Sequence, residues 1–92
     1  MKIGQYETHP AADIFPLMDK DGLAELAEDI RKNGQQSPIV LLGGVLLDGR
    51  NRVLACEKLG RKPVAKKWRG TGSPTEWVMS VNFHRRHLTA SQ

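Results

Sequence analysis

The segment of this 92-residue chain best equipped for chemistry is Leu46, Leu47, Asp48, Gly49, Arg50, Asn51, Arg52. A glycine between an apolar run and a helix start lets backbone approach a ligand closely. The first N–H groups of that helix are unpaired donors at the positive end of its dipole. Arg50 and Arg52 add guanidinium forks, which match phosphate oxygens better than ammonium groups do. Together, Gly49, Arg50, Asn51 and Arg52 predict a phosphate site. The competing reading is structural, with Asp48 capping the helix and both arginines facing solvent.

A second cluster is Asn82, Phe83, His84, Arg85, Arg86, His87, Leu88. Arginines at a helix C-terminus answer its negative dipole end, which is a sufficient structural reason for them. The cationic density of Arg85 and Arg86 also suits an anion. Asn82 and Arg85 lie three apart on one helix face, so one can contact a base or sugar edge while the other holds phosphate. His84 and His87 have no carboxylate or cysteine beside them, and no metal site is expected there. Cys56 reads as a small packing residue rather than a nucleophile. His9, beside Pro10, reads equally as a surface turn residue or as a ligand contact on an N-terminal arm. Trp68 and Trp77 read as packing residues rather than stacking platforms, because no aromatic neighbours accompany them in the sequence.

Several elements must position these residues. Residues 6–15 read as a strand or extended arm feeding Pro16. Asp19 or Asp21 caps a helix whose Leu23, Leu26, Ala27 and Ile30 follow helical spacing, with Gly34 as its left-handed stop. Pro38 forces Ser37 into an extended conformation, and residues 39–42 form a strand. Gly43 and Gly44 make a hairpin turn into a return strand at residues 45–47. A helix follows over residues 51–59 and ends at Gly60, and a strand is expected from Pro63 to Trp68. Residues 70–72 form a loop. Ser73, Pro74, Thr75, Glu76 is a capping box with proline at the first helical position, predicting a helix from Pro74 to about Arg85. Thr89 to Gln92 spells a further helix entrance, so the chain is expected to be a fragment of a longer protein or to complete itself on a partner.

Composition sets the frame. With 39% hydrophobic and 26% charged residues, residues 1–92 are expected to form one small globular α/β (α+β) domain, a mixed short-stranded sheet with about three helices. The single cysteine excludes an internal disulfide and any multi-cysteine zinc site, and favours a reducing compartment. No apolar run approaches the ~18 residues that span a bilayer, so no membrane partner and a cytoplasmic location are expected. The net charge of +4 is modest, but its distribution is not. Six carboxylates from Asp13 to Asp29 crowd the first third, and ten cations from Arg50 to Arg86 crowd the rest. A basic C-terminal part suits phosphate groups, although a solvated lysine-rich face is the commoner meaning.

The two clusters, in this order and preceded by a helix and Ser37, Pro38, Ile39, Val40, resemble the N-terminal domain of the ParB family, within the ParB and sulfiredoxin superfamily. The likeness covers roughly residues 9–92. Residues 26–41 look like that family's helix, glycine and Pro-Ile-Val strand; residues 46–55 look like its Gly-x-Arg-Arg box; and residues 82–92 look like its Glu-Asn-x-x-Arg box. The phage- and plasmid-type ParB-like proteins are the most similar.

The resemblance implies a switch or clamp module that binds a nucleoside triphosphate, CTP favoured, with Mg²⁺. Gly49 and Arg52 match the first box, and Asn82 and Arg85 the second. It further implies DNA binding through a following helix-turn-helix segment, with only weak, non-specific binding by these residues and homodimerisation left open. Asn51 stands where the partition proteins place an arginine, Val81 where they place glutamate, and Phe15, Pro16, Leu17 lack the glutamine and arginine of a Gln-Pro-Arg box. These departures bear on CTP selectivity and on hydrolysis, so a slow nucleoside triphosphatase is left open. Sulfinic acid reduction is disfavoured because Cys56 falls two turns beyond the Asp48, Gly49 turn. The alternative is a small nucleotide-dependent enzyme of the same fold, a serine-kinase-like phosphotransferase or a nuclease, with Asp48 as catalytic base.

Overall fold

The computed structural model describes the backbone of residues 2–90 and the side chains of residues 2–83. Helix α1 spans Lys20–Asn33; the Asp19 carboxylate accepts from the Gly22 amide at 2.7 Å, and the Gly34 N–H returns to the Ile30 carbonyl at 2.8 Å. Its apolar stripe buries Ala27 and Ile30. Two β-branched and aliphatic runs follow. They pair as antiparallel strands, which we number β3 (Ile39–Leu42) and β4 (Val45–Asp48) because a short N-terminal hairpin, β1 (Lys2–Ile3) and β2 (Tyr6–Glu7), precedes them. Gly43 and Gly44 join β3 to β4 with φ of 58° and 83°, the left-handed pair that matches the twist of a tight hairpin.

Helix α2 spans Arg50–Leu59, and Gly60 ends it in the left-handed conformation. The chain then crosses back so that β5 (Ala65–Lys67) lies parallel to β3, giving the mixed sheet order β4-β3-β5. Helix α3 spans Pro74–Ala90, its start marked by the Ser73 hydroxyl accepting from the Glu76 amide at 3.3 Å. The fold is therefore α+β, with three helices, a mixed three-stranded sheet and a separate two-stranded hairpin. Among the described residues no helix is long and apolar enough to cross a membrane.

Alternation along β3 and β4 divides the core. Ile39 and Leu46 meet Ile3 and Val53 of α2, while Val40 and Leu47 meet Ala11 and Val78 of α3. A bulge helps to set this arrangement: the register shifts between Val40, opposite Asp48, and Leu41, opposite Leu46, leaving Leu47 as the extra residue. A third cluster of Ala27, Ile30, Ala55 and Cys56 joins α1 to α2, and its small side chains allow close approach.

Three expectations are corrected here. Residues 6–15 do not form a continuous strand or arm: after β2 the chain bridges to Leu46 at Thr8 and enters a 3₁₀ turn at Ala12–Ile14. Local hydrogen bonds explain this, since the His9 Nδ1 accepts from the Ala11 amide and the Thr8 hydroxyl lies 2.8 and 2.9 Å from the two Asp13 carboxylate oxygens. Ile14, expected as part of an apolar strand, is exposed. Helix α3 continues past Arg85 to Ala90, so Thr89 lies inside it rather than at a helix entrance; the rest of that motif, Ser91 and Gln92, lies outside the described residues. Finally, Trp68 and Trp77 pack against the Val40, Leu47 and Val78 cluster as expected, but the premise that no aromatic group accompanies them fails in the fold, where they meet each other with ring centroids 6.3 Å apart and planes tilted by 58°.

Val78 is the fully buried residue through which α3 reaches the sheet. We expect Val78→Ala to lower stability by about 2 kcal/mol, within the range for burying such a side chain, whereas Met79→Ala, on the exposed side of the same turn, changes it by less than about 0.5 kcal/mol. Urea unfolding followed by circular dichroism measures both.

Candidate functional site at the start of α2

Strand β4 ends at Asp48, and Gly49 turns the chain into α2 with φ 112° and ψ 24°. A Cβ on Gly49 would stand 2.7 Å from Ile39 Cγ2 and 3.1 Å from the Ile39 Cα. The glycine is thus demanded twice, by its left-handed φ and by the strand packed behind it. The N-cap position of α2 is Gly49 itself, which has no side chain to offer the first turn. Asp48 is buried beside Arg52, its Oδ2 3.9 Å from Arg52 Nη1.

The three residues after Gly49 have three destinations. Arg50 is only 9% exposed at its side chain; its Nη2 donates to the Phe15 carbonyl and its Nη1 stands 3.8 Å from the Asp13 carboxylate. Burial pulls the Arg50 guanidinium below its ordinary value, and the charges of Asp13 and Asp48 partly offset this. Asn51 Oδ1 accepts from the Met18 amide at 3.1 Å. Arg52 Nη1 donates to the Pro38 carbonyl at 3.0 Å and so ties α2 to the entrance of β3. The solvent-facing alternative for the arginines is not what the structure shows. Arg50 and Asn51 together pin the 15–18 segment over the first turn of α2.

That segment completes a cavity of about 700 Å³. Asp48, Gly49, Arg50, Asn51, Arg52 and Asn82 all line it, so the structure brings six of the eight sequence-predicted site residues together from two distant stretches of chain. Asn82 stands on α3 with its Nδ2 donating to the Val78 carbonyl at 2.8 Å. The side chains of Arg85 and Arg86 lie outside the described residues.

Much of the remaining lining is apolar, with Ala12, Phe15, Pro16, Leu17, Met18 and Leu26; sequence reasoning noted Phe15, Pro16 and Leu17 only for the polar residues they lack and missed this apolar surface. The run Phe15, Pro16, Leu17, Met18 was the available signal, since Pro16, Leu17 and Met18 continue an apolar run beyond the expected 6–15 strand or arm and need something to cover. A cavity lined by a helix start, two arginines and a carboxylate together with apolar side chains suits a ligand with an anionic head and a planar or apolar body.

Other candidates settle into structural roles. His9 caps its own turn, as above. Cys56 is buried in the α1–α2 interface, its Sγ 3.6 Å from Gln35 Oε1; burial pushes its thiol up, against a smaller opposing pull from Arg61. Arg61 itself is not a bystander, because its Nη1 donates to the Ile30 carbonyl at the end of α1 at 2.9 Å. Among the described residues no group of three or more His, Cys, Asp and Glu side chains could hold a metal ion. No known protein family, curated protein or solved structure matches the chain.

Two substitutions test this junction. Gly49→Ala should cost about 2–4 kcal/mol, combining a left-handed alanine with overpacking against Ile39. Gly60→Asn, at a left-handed helix end with open space around it, should be close to neutral. Arg50→Ala should cost about 1.5–3 kcal/mol through loss of a charged hydrogen bond. It should also speed hydrogen exchange at Met18 more than at Ile30, and uniform acceleration would contradict a local clamp.

Proposed function

We propose that the chain is the nucleotide-binding switch module of a ParB-like DNA-binding protein, and that a nucleoside triphosphate, with CTP favoured, occupies the cavity at the start of α2. The observation that carries this reading is the convergence of Gly49, Arg50, Asn51, Arg52 and Asn82 on one cavity of about 700 Å³, with the glycine-led start of α2 on its wall. The amides of that first turn and Arg52 supply donors for phosphate oxygens, and the apolar 15–18 wall supplies a surface for a base or sugar. Arg50 has a different part in this reading: by holding Phe15 it keeps that wall in place. A Mg²⁺ ion would arrive with the phosphates and take Asp48 as its protein carboxylate, the usual sparse protein contribution to such an ion. DNA recognition is assigned to a following segment, and the working location to the cytoplasm.

A second reading, a nucleotide-dependent phosphotransferase, is favoured by one observation. Asp48 is a buried carboxylate lining the same cavity, where it could accept a proton from an attacking hydroxyl.

Thermal unfolding with a panel of nucleoside triphosphates and Mg²⁺ tests the binding. A ligand at 100 times its Kd adds about 2.7 kcal/mol to the folded state, and for so small a domain that is a shift of roughly 10–20 °C. Arg52→Ala and Arg85→Ala should each weaken binding by about 10-fold to 150-fold. Lys62→Ala, an exposed cation away from the cavity, is the control and should leave binding unchanged; Arg61 is unsuited to that purpose because it ties α1 to α2. No shift with any nucleotide at millimolar concentration would remove the reading. Rapid turnover of labelled nucleotide, abolished by Asp48→Asn, would favour the phosphotransferase.

A further inference from the structure

The other end of the sheet carries a separate arrangement that the nucleotide reading does not use. Strand β5 is an edge of the sheet, and all its residues are exposed. Behind it lies a second cavity, of about 470 Å³, lined by Lys66, Trp68, Arg69 and Trp77, with Val40 at its base. Strand pairing explains the grouping: Lys66 is opposite Val40, and Trp68 lies two residues further on the same face, the face α3 covers.

Three features distinguish this edge from an ordinary solvated lysine face. First, both tryptophans of the chain meet here, half-buried and tilted against each other. Second, the Trp68 indole N–H is buried with no hydrogen-bond partner among the described residues, a donor whose desolvation is uncompensated. It sits under Gly70, where a Cβ would stand 2.8–2.9 Å from the indole, so a segment without a side chain closes over it. Third, between Glu57 and Glu76 the sequence holds Lys58, Arg61, Lys62, Lys66, Lys67 and Arg69 and no acidic residue. Lys66, Lys67 and Arg69 have no ion-pair partner among the described residues. Lysines on an edge strand also deter unwanted strand pairing, but that role needs neither a cavity nor an indole pair behind them.

We propose that the Trp68–Trp77 cavity and the cations of the β5 edge form a docking site for single-stranded nucleic acid, with phosphates on Lys66 and Arg69 and a base against the indoles. Charge complementarity selects a polyanion. The aromatic cavity selects an unpaired planar group over the closed stack of a duplex, since base–aromatic contact is what single strands offer and duplexes hide.

The test uses the whole 92-residue chain and its own fluorescence, because its two tryptophans both report on this cavity. Oligo(dT) of about 12 nucleotides, within the span such sites cover, should quench the emission, with an affinity that falls steeply as salt is raised. Trp77→Leu should weaken binding by about 5-fold to 150-fold, read by fluorescence anisotropy of labelled oligonucleotide, with circular dichroism confirming the fold. Lys66→Glu combined with Arg69→Glu should weaken it by at least about 10-fold while leaving any nucleoside triphosphate thermal shift unchanged, which separates this site from the α2 cavity. No quenching, equal affinity for a duplex of the same length or for poly-glutamate, or indifference to both variants would each overturn the proposal.

Discussion

The junction of β4 and α2 depends on the absence of one methyl group. Gly49 turns the chain in a left-handed conformation with Ile39 directly behind it, close enough that a Cβ would collide with both the side chain and the backbone of β3. That contact fixes how close α2 comes to the sheet, and through Val53 it fixes the packing of α2 over Ile39 and Leu46. Because α1 is held to α2 through Ala27, Ile30, Ala55 and Cys56, the position of α1 follows as well. The same backbone geometry that satisfies the core puts a glycine at the N-cap of α2 and the first turn of that helix on the wall of a cavity.

Charge in this molecule is used inwards as much as outwards. Arg50, Asn51 and Arg52 are consecutive, yet they reach Phe15, Met18 and Pro38, three points on two different connecting segments. Each partner is a backbone group that lies outside regular secondary structure, where an unmet carbonyl or amide would be costly. Polar side chains of one helical turn therefore do for these connectors what a ladder does for a strand. Gln35 does the same elsewhere: its Oε1 accepts from the Val64 amide at 2.7 Å and its Nε2 donates to the Val64 carbonyl at 2.9 Å, binding the chain before β5 to the chain before β3. In a small domain with little apolar surface to bury, such ties are a substantial share of what defines the connectors.

The sheet separates two chemically different regions. At the β4 end, a helix start and an apolar connector enclose a mixed polar and apolar cavity; at the β5 end, indoles and cations surround a smaller one. Both proposals rest on this separation, which places an anion-binding helix start and an aromatic, basic edge on opposite borders of a sheet only three strands wide.

Elements whose causes are local are legible in the sequence. The aspartate cap at 19 or 21, of which the structure uses Asp19, the helical spacing of Leu23 to Ile30, the Gly43, Gly44 turn, the Gly34 and Gly60 stops and the Ser73 to Glu76 box each act within a few residues, and the structure has a helix or hairpin at every one. The sequence also marked Gly49 to Arg52 as a group, because glycine and arginine types at a strand–helix junction are visible without a fold. Where those side chains went was a matter of packing between distant segments. Nothing local tells Arg50 to turn towards Phe15, 35 residues away, or tells Trp68 that its aromatic neighbour is Trp77. Nor could hydropathy show that residues 8–14 would follow β4 by a single bridge and then coil into a 3₁₀ turn. These outcomes depend on which distant backbone groups were left without partners once the core had closed, and that is a property of the packed chain rather than of any window of its sequence.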